Sequence, residues 1–582
     1  MGLTSSLLIG RSALQASQSA IQVTGNNISN AATEGYHRQQ VLFDPIQGGV
    51  SAGQFIGRGV GIADIRRAID PSILGRMRTS MGEEAASAVD SRVLGSLENL
   101  TGELTDRDLS SQLSEFFNAW SELSNSPGNS AMRSAVVEQG GSLSSYIVGM
   151  REGLIAQRNQ VDTELKAAVE RTNTLLEEIA GLNLSVLNSE QGRNEAGNLR
   201  DQRDRLIDEL SQMMDIQVVE QASGAVDILV DSSPLVLGTQ SRGLEFELKT
   251  VDPGNGDPPE LRARVLTTDE KEALRLGAGS IGALLEQRDA SVQRTIDDLD
   301  AVASALIFEV NNLHASGRSG VSVTSLTSER SFALADQTLA LNDPANQTTS
   351  LLPFGVSNGS FVVEVRDENG NAFEQTVSVD LDGIRTSDGA PGIDEDTTLA
   401  DLTAALDAIP NLNATITAAG ELSITTDTGY SVSFGDDTSG VLATLGINTY
   451  FTGKDAQDMG VRQALRDTPG LLVSGAGPGE NGVAISIAEL RDRPLEGFGG
   501  TSISERWQEG IEQTAVAARA AQTKLASDSA VRENLQAQER AIGGVSLDEE
   551  SMNLILYQQQ YSGAARFIST VDELTQLLLG LV

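Results

Sequence analysis

One stretch of this 582-residue chain spells a known chemical motif: GAGSIG, Gly277 to Gly282, a literal GxGxxG ahead of a helical pattern. In a dinucleotide site such glycines let the backbone approach a pyrophosphate that rests on the helix N-terminus. That chemistry needs a strand before the motif and a second strand carrying an acidic residue after it. Here KEALRL precedes the glycines, and the helical pattern runs past Leu313 without a second strand. We read a turn entering a helix. GAGPGENG at 475 to 482 lacks the Lys-Ser/Thr of a phosphate loop and reads as a loop. His37 and His314 are the only histidines and fall in different predicted elements, which argues against a histidine metal site or a Ser-His-Asp arrangement. The chain has no cysteine, so disulfides, cysteine-bound zinc and thiol catalysis are excluded. The aspartates of DLDGIRTSDGAPGIDED, 380 to 396, could take calcium but lack the spacing and terminal Glu of an EF-hand loop; they read as a solvated acidic loop. No catalytic, cofactor-binding or metal-ligating residue is expected, and the chain does not read as an enzyme.

The bulk numbers narrow the partners. A net charge of −40 argues against nucleic acid and against an anionic membrane surface. No run of about 18 apolar residues is present, so no transmembrane helix is expected. MGLTSSLLIGR lacks the basic n-region of a secretory signal, and its match to the myristoylation pattern at Gly2 and Ser6 reads as chance. Hydrophobic content of 39% with 4% aromatic suits helical bundles and small sheets.

The two ends carry the strongest pattern. Leu3, Leu7, Gly10, Leu14, Ser17, Ile21, Thr24 and Ile28 alternate in steps of four and three, the spacing of a coiled-coil seam, and Arg11 is the only charge in the first thirty residues. At the far end Ser546 and Glu549 have capping-box spacing, followed by Leu554, Tyr557, Tyr561, Ala564, Ile568, Val571, Thr575, Leu578 and Val582 in threes and fours. A solvated face carries Glu and Lys, whereas these helices turn Ser, Gln and Asn outward. Amides can be buried against like faces without an ion partner. Both sides of each helix are therefore expected to be buried, which favours self-assembly. The amide cluster Asn26, Asn27 and Asn30 stops the first helix without placing charge in a crowded junction, and RQQVLFDP leaves it extended.

Between the ends, 70 to 215 reads as helical, with 140 to 190 one long helix and GNLRDQRDRLIDELSQ another whose apolar side is Leu199, Leu206, Ile207 and Leu210. Strands are expected from 216 to 250, a loop at 251 to 260, and helix again over 280 to 316. Residues 355 to 450 read as a self-contained αβ stretch with a hairpin at Asn369-Gly370. The expected fold class is multidomain α+β: terminal coiled-coil helices and a discontinuous long-helix bundle enclosing β-rich outer domains. The expected domains are 1–40 plus 545–582, a terminal coiled-coil domain; 41–215 plus 280–320 and 485–544, a helical bundle; 216–279 plus 456–484, β-rich; and 340–455, an outer αβ domain.

TGNNISNAATEGYHRQ and SLDEESMNLILYQQQYSGAARFISTVDEL resemble the terminal signatures of bacterial flagellar axial proteins, the rod, hook and hook-associated family. Three interior stretches are similar to its hook–filament junction members: SSQLSEFFNAWSELSNSPGNSAMRSAVVEQG, GNLRDQRDRLIDELS, and GSIGALLEQRDASVQRTIDDLDAVASALIFEVNNLHASG; LGINTYFTGKDA resembles a segment of longer members. Family members often have proline where Glu34 stands, and serine where His37 and Gly543 stand. The resemblance implies a non-enzymatic structural protein without cofactors. It implies export by the flagellar type III apparatus without a cleaved signal peptide, an extracellular place at the hook–filament junction, and assembly as a ring. Hook protein, hook-associated protein 3 and an export chaperone at the C-terminal helix are the implied partners. Leu7, Leu14, Ile21, Ile28, Leu554, Tyr561, Ile568, Val571 and Leu578, with Asn26, Asn27 and Asn30, are the implied assembly positions. Both arms are expected to be largely disordered in the free subunit. The alternative is a secreted surface protein whose outer β-rich domain is a binding or adhesion module.

Overall fold

Local signals set the helix starts. Asp70 accepts hydrogen bonds from the backbone N–H groups of Ser72 and Ile73, and Pro71 opens the helix Pro71–Thr101. Asp108 caps Leu109–Asn125 through Ser111 N–H, and Thr398 with Asp401 forms a complete capping box on Leu399–Asp407. The computed structural model describes all residues except 1, 52–53, 103–107, 192–194, 253–259, 320, 322, 351, 353, 477–478 and 581–582; side chains at 2, 49–51, 54–56 and 578 are also outside the description. Most of the loop read at 251 to 260, part of GAGPGENG, and Val582 lie outside the described residues.

The fold is multidomain α+β, divided into two compact units that are each discontinuous in sequence. The first comprises Met1–Val93, Gln160–Asp289 and Ala518–Val582; the second comprises Leu94–Asn159 and Ala290–Ala517. The first holds the terminal helices Gly2–Ser29 and Leu547–Leu579, and an antiparallel pair, Gln39–Pro45 with Val60–Arg67, bulged at Leu42/Phe43. It also holds a four-stranded antiparallel sheet within 217–241 and the hairpin Leu244–Val251 with Glu260–Thr267. Gln39–Pro45 and Val60–Arg67 thus pack on the first helix as a bulged strand pair, rather than joining a helical bundle.

The second unit has two cores. In one, Trp120 packs edge-on with both Phe116 and Tyr450, and Tyr450 meets Phe451 at 4.6 Å between ring centroids. His314 completes the cluster, fully buried: its Nδ1 lies 2.6 Å from the carbonyl of Asn448, and the N–H of Val473 donates to its Nε2 at 3.0 Å. Burial pushes this histidine down to about 4, so the ring is neutral. In the other core the sheets 359–367/372–379/430–435 and 325–331/412–416/421–426 pack with Leu399–Asp407. This αβ body begins ahead of 340, because the strand Ser325–Ser331 pairs with Glu421–Thr426. The expected grouping of 216–279 with 456–484 divides between the two units. Val473–Gly475 pairs with Arg318–Ser319 in the second unit, while 216–279 closes its own sheets in the first.

GAGSIG has a packing explanation. Gly279 has φ +80°, and a Cβ there would stand 2.5 Å from backbone atoms of Met214; one at Gly282 would stand 2.9 Å from the carbonyl oxygen of Leu276. The glycines let the helix Gly279–Glu286 meet the end of Gly197–Met213.

Candidate assembly interface

The two terminal helices pack along one another. On the first, the buried positions are Gly10, Ala16, Ser17, Ala20, Thr24 and Asn27. Small residues let the helices approach closely: a Cβ on Gly10 would lie 2.6 Å from Ile568 Cγ1. The large members of the seam are only half-buried, namely Leu7, Leu14, Ile21 and Ile28 on one helix and Leu554 and Ile568 on the other. Val571 is buried, Tyr561 is 38% exposed, and the side chain of Leu578 is outside the description.

The amides act differently from the sequence reading. Asn27, 1% exposed, uses all four of its hydrogen-bonding positions. Its Nδ2 donates to the carbonyl of Gln39 and to Glu550 Oε2, and its Oδ1 accepts from Gln39 N–H and from the Tyr36 hydroxyl. It thereby copies a strand neighbour for Gln39 and fixes the chain's return. Asn26 donates to the Tyr36 hydroxyl, and Asn30 caps the helix end by donating to the carbonyl of Asn26. The junction is not free of charge. Arg38 binds Glu549 and Glu550; Arg67 binds Asp201 and Asp204 at 2.9 and 2.6 Å; Arg78 binds Asp204 and Asp208. Charge is tolerated there because each ion is paired and hydrogen-bonded. Glu549 also turns to Arg38 instead of reaching back, so only the Ser546 half of the expected capping box forms, at 3.5 Å.

His37 sits at the centre of this network, its Nδ1 2.8 Å from Asp201 and its Nε2 3.2 Å from Glu539. Burial would lower its pKa, but the bonds to Asp201 and Glu539 outweigh that and hold it up at about 9, so the ring is charged at neutral pH. Tyr36 is pushed up to about 12 by burial and by the nearby Asp201 and Glu550. His37 and Gly543, two of the three departures from the family pattern, lie against each other: a Cβ at Gly543 would stand 2.9 Å from His37 Cδ2. The larger ring at one position is matched by the missing side chain at the other.

On Leu547–Leu579 a second apolar stripe remains exposed: Met552, Ile555, Leu556, Leu574 and Leu577 are 49 to 66% exposed. At about 100° per residue these five fall on one side of the helix, opposite the stripe of Leu554, Tyr561, Ile568 and Thr575 that faces the first helix. The first helix turns Thr4, Leu8, Gln15, Gln18 and Gln22 outward, with Arg11 its only charge. Sequence reading missed Arg67, Asp201, Asp204 and Glu539 as junction residues; their pairing spans up to some five hundred positions of chain, which no local pattern carries.

Comparison with known proteins follows this division. Residues 7–37 match the family model described as flagella basal body rod protein, and 543–581 match the flagellar basal body rod FlgEFG protein C-terminal model. Paired terminal helices of this kind define a structural component of the bacterial flagellum. Residues 94–322 match the model of the flagellar hook-associated protein FlgK helical domain. The flagellar hook-associated protein 1 of Escherichia coli K12 is 24% identical over 600 residues, with 98% of each chain covered. That of Bacillus subtilis 168 is 30% identical over 259 residues, 41% of this chain and 51% of the relative. The solved flagellar hook junction protein FlgK of Burkholderia pseudomallei has a TM-score of 0.49 at 14% identity, covering 81% of this chain and 100% of its own. The chain is thus similar to flagellar hook-associated protein 1 along nearly its whole length and carries the FlgK helical domain over 94–322. Among the described residues no helix is long and apolar enough to cross a membrane.

Proposed function

We propose that the protein leaves the cell through the flagellar type III apparatus, without a cleaved signal peptide, and assembles as a ring at the distal end of the hook, joining hook to filament. One observation carries this reading: the C-terminal helix is apolar on two opposite sides, and the chain covers only one of them. Five large apolar side chains left in water on one helix mark an interaction surface. The outer face of the first helix, with Arg11 its single charge, suits burial against neighbouring subunits. The assembly positions are Leu7, Leu14, Ile21, Ile28, Leu554, Tyr561, Ile568, Val571 and Leu578. Asn26, Asn27 and Asn30 hold the helix end in register. Hook protein on one side, hook-associated protein 3 on the other, and an export chaperone at the C-terminal helix are the partners. Deleting the coding sequence tests the reading: intact hooks without filaments are expected, and normal filaments would refute it.

A further inference from the structure

In the second unit a cleft of about 440 Å³ opens where the αβ body meets the segment after Phe451; it is lined by Arg330, Gln347, Phe354, Lys454, Glu329 and Asp458, among others. Most buried arginines of this acidic chain are paired with carboxylates, as Arg67, Arg200 and Arg288 are. Arg330 is not. It is half-buried, its Nε donates to the carbonyl of Thr444 at 2.8 Å, and among the described residues no carboxylate lies within ion-pair distance of its guanidinium. Burial pushes its pKa down, with Asp458 the acid that opposes this. The Lys454 ammonium is likewise without a partner among the described residues, and so is the Gln347 amide. Of the two carboxylates present, Glu329 is committed to Arg462 at 3.0 Å, while Asp458 accepts the backbone N–H of Lys454 at 2.8 Å.

We infer that this cleft binds a small monoanion, a carboxylate that also carries hydroxyl groups. The charge count selects a monoanion. With Glu329 neutralised by Arg462, two free cations face one further carboxylate, Asp458, leaving one positive charge. A dianion such as phosphate would overfill that balance beside two acidic side chains. Fixing Nε on Thr444 leaves both Nη atoms of Arg330 for a carboxylate, which pairs well with a planar guanidinium. The free Gln347 amide suits hydroxyl groups. The Phe354 ring, stacked on Phe308 at 4.8 Å, gives an apolar wall for a ligand's carbon face. The volume is within the range of small-ligand sites. A hexuronic acid is the simplest molecule that meets all of these demands.

The test is calorimetric titration of the full chain with D-glucuronate, D-glucose and inorganic phosphate, repeated on R330Q and K454Q. Saturable binding of glucuronate, with neither glucose nor phosphate matching it, is expected. Affinity is expected to fall about tenfold or more in R330Q, since a charge-assisted pair is lost, and a few-fold in K454Q. Lys454 is exposed and unpaired among the described residues, so K454Q keeps the fold and decides the matter if R330Q does not fold. Absence of glucuronate binding overturns the proposal. So does equal binding of phosphate, or unchanged glucuronate affinity in K454Q together with any folded R330Q. Neither residue belongs to the terminal helices, so failure here leaves the assembly reading standing.

Discussion

The aromatic core around His314 and the terminal helix pair are both built from family signature segments, yet they spend their side chains differently. Around His314, the rings of Phe116, Trp120, Tyr450 and Phe451 are buried within the chain, and His314 has both ring nitrogens bonded to backbone. On the C-terminal helix, one stripe is covered and the opposite stripe, Met552 to Leu577, faces solvent. A signature whose residues are all consumed internally encodes a fold. A signature with half its apolar surface left over encodes an encounter with another molecule.

The difference can be broken from either side. Trp120→Ala is expected to cost about 3–5 kcal/mol by emptying a fully buried ring site, visible as a lowered denaturation midpoint. Leu556→Ser on the open stripe is expected to change stability by no more than about 0.5 kcal/mol, yet to abolish motility.

The two histidines extend the contrast to pH. His314 is held near 4, below its unfolded value of about 6.5, so the unfolded chain binds more protons between those values. The stability it contributes is present above about pH 6.5 and lost as pH falls toward 4, at most about 3 kcal/mol. His37 is held near 9, so its contribution is present below about pH 6.5 and lost as pH rises through 9. Denaturation followed by Trp120 fluorescence between pH 4 and 7, and hydrogen exchange at the junction between pH 6.5 and 9, are expected to move in opposite senses.

Asn27→Ala would leave Tyr36, Glu550 and the Gln39 backbone without their partner, a loss of about 2 kcal/mol measured by chemical denaturation. Gly279→Ala comes next, about 1–3 kcal/mol, because φ +80° and the Met214 backbone both oppose a side chain. The glycine motif is therefore sensitive to substitution for reasons of packing, and loss of function on its mutation says nothing for a cofactor.

Much of this was legible in the sequence. The 3–4 spacing marked both terminal helices, Asn369-Gly370 marked its hairpin, and GAGSIG marked the entry to its helix. What escaped depends on partners distant in the chain. GNLRDQRDRLIDELSQ was legible as an amphipathic helix on Leu199, Leu206, Ile207 and Leu210. Ile207 and Leu210 are buried, but so are Arg200, Asp201, Arg203 and Asp204, because Arg67, Glu190 and the Gly224 carbonyl meet them there. Charge in a helix reads as a solvated face until its partners are known. The seam was legible in spacing but not in depth: Gly10, Ser17 and Thr24 are buried, while Leu14 and Ile21 between them remain half in water.

The most direct measurement replaces Met552, Leu556 and Leu574 with serine together, and counts filaments on hooks by electron microscopy while following the purified subunit's unfolding. The account predicts bare hooks from a subunit whose unfolding midpoint is unchanged. Full-length filaments on those hooks would contradict it.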